Sequence, residues 1–219
     1  MKSSNYDGGY TPENGEEKTL CVFLTDTSGS MAGYKITSVN DGLNQFCGDI
    51  GSHEILSQKV EVALVAFNSG VKVIQTPTLV ENFNPPALSA DGGTDMVGGI
   101  LKAIELVKER KQYYTDHGIA YKRPWIVMLT DGYANVSSIT SQIKRESEEK
   151  HYFLLPIAVD DGSDMDVLNS VASKQAFKLK DAGKFSSFFE WLSNSIGTIA
   201  NAAPNTGVGI ENPFDGWAA

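Results

Sequence analysis

Residues 19–25 (TLCVFLT), 60–67 (VEVALVAF), 125–130 (WIVMLT) and 152–159 (YFLLPIAV) are short, nearly unbroken apolar runs. A strand with one wet face alternates polar and apolar side chains, whereas a strand covered on both faces does not. These runs therefore predict a sheet with helices on either side. Between them, apolar residues recur at helical spacing. Ile36, Val39, Leu43, Phe46, Cys47 and Ile50 mark a helix over 35–50, and Val97, Ile100, Leu101, Ile104 and Val107 mark one over about 95–113. Further helices are predicted over about 137–149, 164–172 and 185–200, with a short strand near 176–180. Asn68-Ser69-Gly70 is a turn signal followed by VKVIQ, which predicts a hairpin and an antiparallel edge strand over 71–75. Strand and helix alternate from residue 18 to residue 200. That order predicts an α/β, Rossmann-like open sheet, mostly parallel, with one antiparallel edge strand and helices on both faces. Residues 1–17 are read as a flexible polar arm and 201–219 as a polar tail, in which Phe214 and Trp217 could dock.

The chain has 219 residues, with 18 basic and 27 acidic side chains and a formal net charge of −9. Phosphate affinity needs clustered Lys and Arg, so this balance excludes a general nucleic-acid binder. It also disfavours an anionic membrane surface. No apolar run reaches the roughly 18 residues of a membrane span, and the first residues contain no apolar leader segment. Two cysteines, Cys21 and Cys47, make no disulfide framework and are expected as buried, reduced thiols. The expectation is a cytoplasmic protein.

Three polar clusters stand out. Asp26, Ser28 and Ser30 follow the first apolar run, Thr94 sits in a Gly-Gly-Thr loop, and Asp131 ends the WIVMLT run. In open α/β sheets, ligands bind outside the C-terminal ends of strands where the strand order reverses. If the strands ending in Asp26 and Asp131 are neighbours there, two carboxylates and three hydroxyls face one pocket. All are hard oxygen donors, which select Mg²⁺, Mn²⁺ or Ca²⁺ over zinc or copper. The competing reading of Asp26, Ser28 and Ser30 is an N-cap for the helix that follows. Asp95 is expected as an acidic residue at the start of the 95–113 helix.

Asp26-Thr-Ser-Gly-Ser30, Gly-Thr94 and Thr-Asp131-Gly132 together resemble the metal-ion-dependent adhesion site of the von Willebrand factor A domain family. The resemblance spans about residues 18–200, with the three motifs in the family's order. It implies that Ser28, Ser30 and Thr94 bind a divalent cation directly or through water. Asp26 and Asp131 would bind it or hold its waters. Mg²⁺ is the first expectation, with Mn²⁺ and Ca²⁺ as alternatives. An open position would take an acidic side chain from a partner protein. The Asp-Gly-Gly-Thr-Asp-Met run is most similar to bacterial tellurium-resistance-operon members, which implies a kinase or phosphatase partner from the same operon and a stress or defence role.

Two other functions compete. A strand ending in Asp is shared with haloacid-dehalogenase phosphatases, which would make Asp26 a nucleophile. Ser28 stands where those enzymes place a second Asp, and no phosphate loop is present, so a non-enzyme is expected. The third reading is a metal-free scaffold. The remaining polar features have plainer explanations. Asp160, Asp161, Asp164 and Asp166 lack EF-hand spacing and are expected as solvated loop carboxylates and a helix cap. His53, His117 and His151 are expected in surface or capping roles, and 144–150 as a solvated helix face. The tripeptide Asn212-Pro213-Phe214 is read as a chance sequence.

Overall fold

The computed structural model describes residues 14–179 and 182–203. The six strands are β1 (Thr19–Asp26), β2 (Val60–Phe67), β3 (Val71–Leu79), β4 (Trp125–Thr130), β5 (Phe153–Ala158) and β6 (Phe177–Lys178). The helices are α1 (Tyr34–Gly51), α2 (Glu54–Ser57), α3 (Met96–Asp116), α4 (Ser137–Glu148), α5 (Met165–Val171) and α6 (Ala182–Asn201). The strands form one sheet in the order β3-β2-β1-β4-β5-β6. Only β3 runs antiparallel, against β2; the other pairings are parallel. The predicted fold class is thus the observed one.

Every residue of β1, β2 and β4 is buried, and successive side chains feed opposite cores, because the strand period is two. Cys21 and Phe23 of β1 join Val39, Leu43 and Phe46 of α1 and Phe188, Phe189 and Leu192 of α6. Leu20, Val22 and Leu24 join Ile100, Ala103 and Val107 of α3, with Ile139 and Ile143 of α4 and Leu168 and Val171 of α5. This is why the apolar runs do not alternate. α1 and α6 touch closely at Gly42, where an added Cβ would lie 2.0 Å from Phe189 Cε2.

The edge strand is longer than expected, reaching Leu79 rather than residue 75. It carries Pro77 and two register shifts against β2, the devices an exposed edge tolerates. Of the expected arm, residues 14–17 are tied down: Asn14 Nδ2 donates to Gln58 O at 3.2 Å, and Glu17 meets Lys122 at 2.9 Å. The rest of the arm, and the tail from 204 with Asn212, Pro213, Phe214 and Trp217, lie outside the described residues. Cys21 is buried but Cys47 only half-buried; both are free. Among the described residues, no helix is long and apolar enough to cross a membrane.

Candidate metal centre at the strand switch point

β1 lies between β2 and β4, and the chain leaves β1 for β2 on one side and reaches β4 on the other. This is the point where the strand order reverses. Thr25 pairs with Leu129, so Asp26 stands level with Thr130, one residue before Asp131. Thr130 Oγ1 donates to Asp26 Oδ2 at 2.6 Å, and the Ser28 backbone N–H donates to Asp26 Oδ1 at 2.8 Å. Asp26 is fully buried and has both carboxylate oxygens engaged. Burial pushes its carboxyl above the usual aspartate range, against the pull of the Thr130 and Ser28 bonds, and the charge of Asp131 adds to the rise.

Ser28 Oγ and Ser30 Oγ lie 3.1 Å apart, so the two hydroxyls converge as alternate positions in the loop allow. Ser28 is buried and Ser30 exposed. None of these side chains caps α1: its N-cap is Gly33, at φ 82°, with no side-chain cap bond. The helix-cap explanation of the cluster therefore fails. The loop that carries Thr94 is fastened to the same turn. Gly29 N donates to Gly92 O at 3.0 Å, and Asp91 N to Thr27 O at 2.9 Å. A Cβ on Gly29 would stand 3.4 Å from Gly92 O, in ordinary van der Waals contact, so it is the backbone hydrogen bonds that hold the two segments together. Thr94 itself is exposed. Asp95 caps α3, accepting from Gly98 N at 2.9 Å, and is committed to the helix.

Asp131 is nearly buried, and Lys35 Nζ donates to its Oδ2 at 3.0 Å. The same ammonium meets Asp160 Oδ2 at 2.5 Å. Burial of the Lys35 ammonium works against its charge, but the Asp160 and Asp131 carboxylates outweigh it and raise its pKa. Burial opposes the charge of Asp160 too, yet the bonds from Lys35 and Ser163 hold its carboxyl below the usual range. Asp160 is thus no solvated loop carboxylate, which corrects the sequence expectation; Asp164 does cap α5, accepting from Asp166 N and Val167 N at 3.1 Å. Lys35 was missed because a lone lysine in the first turn of a predicted helix carries no motif signal. Glu146 is a second correction. It lies within the run expected to be solvated, but is buried and accepts from Lys108 at 2.7 Å and Tyr152 at 3.1 Å.

The five expected ligands therefore come from two adjacent strand ends and one loop clamped against them. Their donors are two carboxylates and three hydroxyls, the hard oxygen set that suits Mg²⁺, Mn²⁺ or Ca²⁺. Among the described residues, no three His, Cys, Asp or Glu side chains gather as a metal cage. A cation here would depend on the hydroxyls. Two exposed aromatic residues neighbour these positions in the sequence, Tyr34 at the start of α1 and Tyr133 two residues after Asp131. A separate groove of about 500 Å³ lies between the C-terminal turns of α1 and α6, lined by residues including Asp49, His53, Leu56 and Asn201. It includes none of the five.

Comparison with known proteins agrees with this architecture. The family model for the von Willebrand factor type A domain matches residues 21–191. The inter-alpha-trypsin inhibitor heavy chain H4 of Sus scrofa is 27% identical over 143 residues, covering 59% of this chain and 14% of that protein. Heavy chain H1 of Bos taurus is 28% identical over 114 residues, covering 51% of this chain and 12% of that protein. The chain thus matches only a small part of the length of these relatives. Among solved structures, the PilB minor pilin of Streptococcus sanguinis superposes with a TM-score of 0.63 at 13% identity, covering 90% of this chain and 65% of that one. The von Willebrand factor domain of the type V pili tip protein Mfa5 from Porphyromonas gingivalis gives 0.62 at 12% identity, with 87% and 99% covered. At these identities the structural likeness speaks to fold alone. With the matched model spanning most of the chain, this protein belongs to the von Willebrand factor type A domain family.

Proposed function

We propose that this protein is a metal-dependent protein-interaction module in which Asp26, Ser28, Ser30, Thr94 and Asp131 hold a divalent cation, Mg²⁺ first. The observation that supports this most is the convergence of Ser28 Oγ and Ser30 Oγ to 3.1 Å beside the Asp26 carboxylate, at the strand switch point. When bound, the cation supplies a Lewis-acidic position for a carboxylate of a partner protein. Thr130 and the Ser28 N–H orient Asp26, and Lys35 orients Asp131. Neutral hydroxyl ligands leave more positive charge on an ion than an all-carboxylate cage would. That matters for a chain of net charge −9, which otherwise repels an acidic partner.

The nucleophile reading of Asp26 is weakened by its burial and by the engagement of both its oxygens. We further propose a cytoplasmic setting in a bacterial stress or defence system, with a kinase or phosphatase of the same operon as partner. This rests on the resemblance of the site loops and is compatible with the two free thiols. Titration with Mg²⁺ or Mn²⁺ tests the central claim. Asp131→Ala should bind roughly 100-fold more weakly than wild type, and partner capture should be lost in EDTA and in Ser28→Ala/Ser30→Ala. Equal binding by wild type and Asp131→Ala would refute the site.

A further inference from the structure

Lys35 joins the two loops that follow β4 and β5. Its ammonium lies 3.0 Å from Asp131 Oδ2 and 2.5 Å from Asp160 Oδ2, with the three side chains 14%, 5% and 22% exposed. An ion pair so sheltered is screened much less than a surface one. It also lies directly on one of the five proposed cation ligands. We infer that Lys35 is a resident counter-ion of the metal centre, which holds Asp131 in place without metal and sets how tightly the centre takes a divalent cation. The inference rests on the metal-site reading above and goes beyond it by assigning a residue outside the five.

The argument is one of charge. Ionised Asp26, Asp131 and Asp160 with one ammonium leave the cluster with two net negative charges. A divalent ion brings that cluster to neutrality. With methionine at position 35, the empty cluster carries three negative charges and the loaded one still carries one. Lysine therefore does three things. It relieves the repulsion between Asp131 and Asp160 when no metal is bound, so the site stays assembled. It repels an incoming divalent ion, which lowers metal affinity. It leaves the loaded centre neutral rather than negative, which favours the approach of an acidic residue. At effective dielectric constants near 20, one unit charge a few ångströms away changes such an equilibrium by roughly ten-fold or more.

The test uses Mn²⁺ alone as the probe, titrated calorimetrically into the full chain at low ionic strength, with melting temperatures recorded in EDTA and at saturating Mn²⁺. Lys35→Met should bind Mn²⁺ roughly ten-fold tighter than wild type. It should melt lower than wild type in EDTA, with the gap closing at saturating Mn²⁺. Lys35→Arg should match wild type. Lys35→Met/Asp160→Asn removes one charge of each sign and should return Mn²⁺ affinity close to wild type, which separates charge from geometry. If wild type binds Mn²⁺ while Lys35→Met binds it no tighter, and melts lower by the same amount with and without metal, Lys35 is a structural pair only and the inference falls. If wild type does not bind Mn²⁺ at all, the proposed site falls and takes this inference with it.

Discussion

At the N-terminal end of β2, Glu61 is fully buried and accepts from Arg110 Nε at 2.8 Å, Arg110 Nη2 at 2.6 Å and Tyr114 Oη at 2.5 Å. The Arg110 guanidinium also lies over the rings of Tyr113 and Tyr114, at 4.6 and 5.1 Å. At the opposite end of the same sheet, Asp26 and Asp131 are buried almost as deeply. There, however, the hydroxyls of Ser30 and Thr94 belong to exposed residues, and the counter-charge comes from Lys35 across two loops. Both regions bury charge. The first closes on itself: its carboxylate and guanidinium satisfy each other and present nothing to a ligand. The second leaves oxygen donors at the surface, as a binding site must. Burial of charge alone therefore does not set the proposed site apart; the donor capacity left over does.

Breaking the closed cluster should give the largest effect. Glu61→Ala strands Arg110 without its carboxylate, and removing one partner of a buried pair costs about 3–5 kcal/mol. Urea unfolding would read this as a large fall in midpoint. A loss below about 1 kcal/mol would mean the cluster is far wetter than its burial indicates.

The open cluster should respond the other way, in ligand binding more than in folding. Asp131→Ala should lower Mn²⁺ affinity by roughly 100-fold, while its unfolding midpoint in EDTA falls far less than that of Glu61→Ala. Equal stability losses in the two variants would erase the contrast between the regions.

A smaller effect is carried by pH. Burial raises the Asp26 carboxyl pKa above its unfolded value. A raised group contributes stability that is present below the unfolded pKa and lost as pH rises through the folded one. In EDTA, Asp26→Asn should therefore gain stability relative to wild type at neutral pH, with the advantage fading as pH falls to the ordinary aspartate range. Melting curves across that range check it; an advantage that grows toward acid would reverse the sign.

The smallest change is expected at the rim. Tyr133 is 63% exposed, and its hydroxyl donates to Gly162 O. Tyr133→Ala should shift unfolding by no more than about 0.5 kcal/mol and leave Mn²⁺ affinity unchanged. A marked gain in metal affinity would show that the Gly162 loop supports Asp160, and through it Lys35, more rigidly than surface contacts usually do.

The strands and the major helices were legible because their signals are local. The unbroken apolar runs reported burial on both faces, and Ile36, Val39, Leu43 and Phe46 reported the buried stripe of α1. The placement of Asp26 and Asp131 at strand ends was legible because Asp26 ends β1 and Asp131 directly follows β4. The short α2 and the extension of β3 to Leu79 were not, because a few residues of Glu-Ile-Leu-Ser or a Pro-containing edge carry almost no periodicity. The role of Asp160 was misread for a different reason. Its partner Lys35 is 125 positions away in the chain, and no local pattern links the two.

The amino-acid sequence by itself determined the class of fold, the order of its elements and the hard-oxygen character of the candidate site. Each follows from side-chain chemistry and from periodicity within a few turns of chain. Only the tertiary structure decided that β1 and β4 are neighbours, that Gly29 and Gly92 bring the Thr94 loop against the first turn, and that Lys35 faces both Asp131 and Asp160. Those are long-range contacts. They exist because two apolar cores, one on each face of the sheet, set the position of every strand end, and the polar side chains at those ends meet wherever the packing places them.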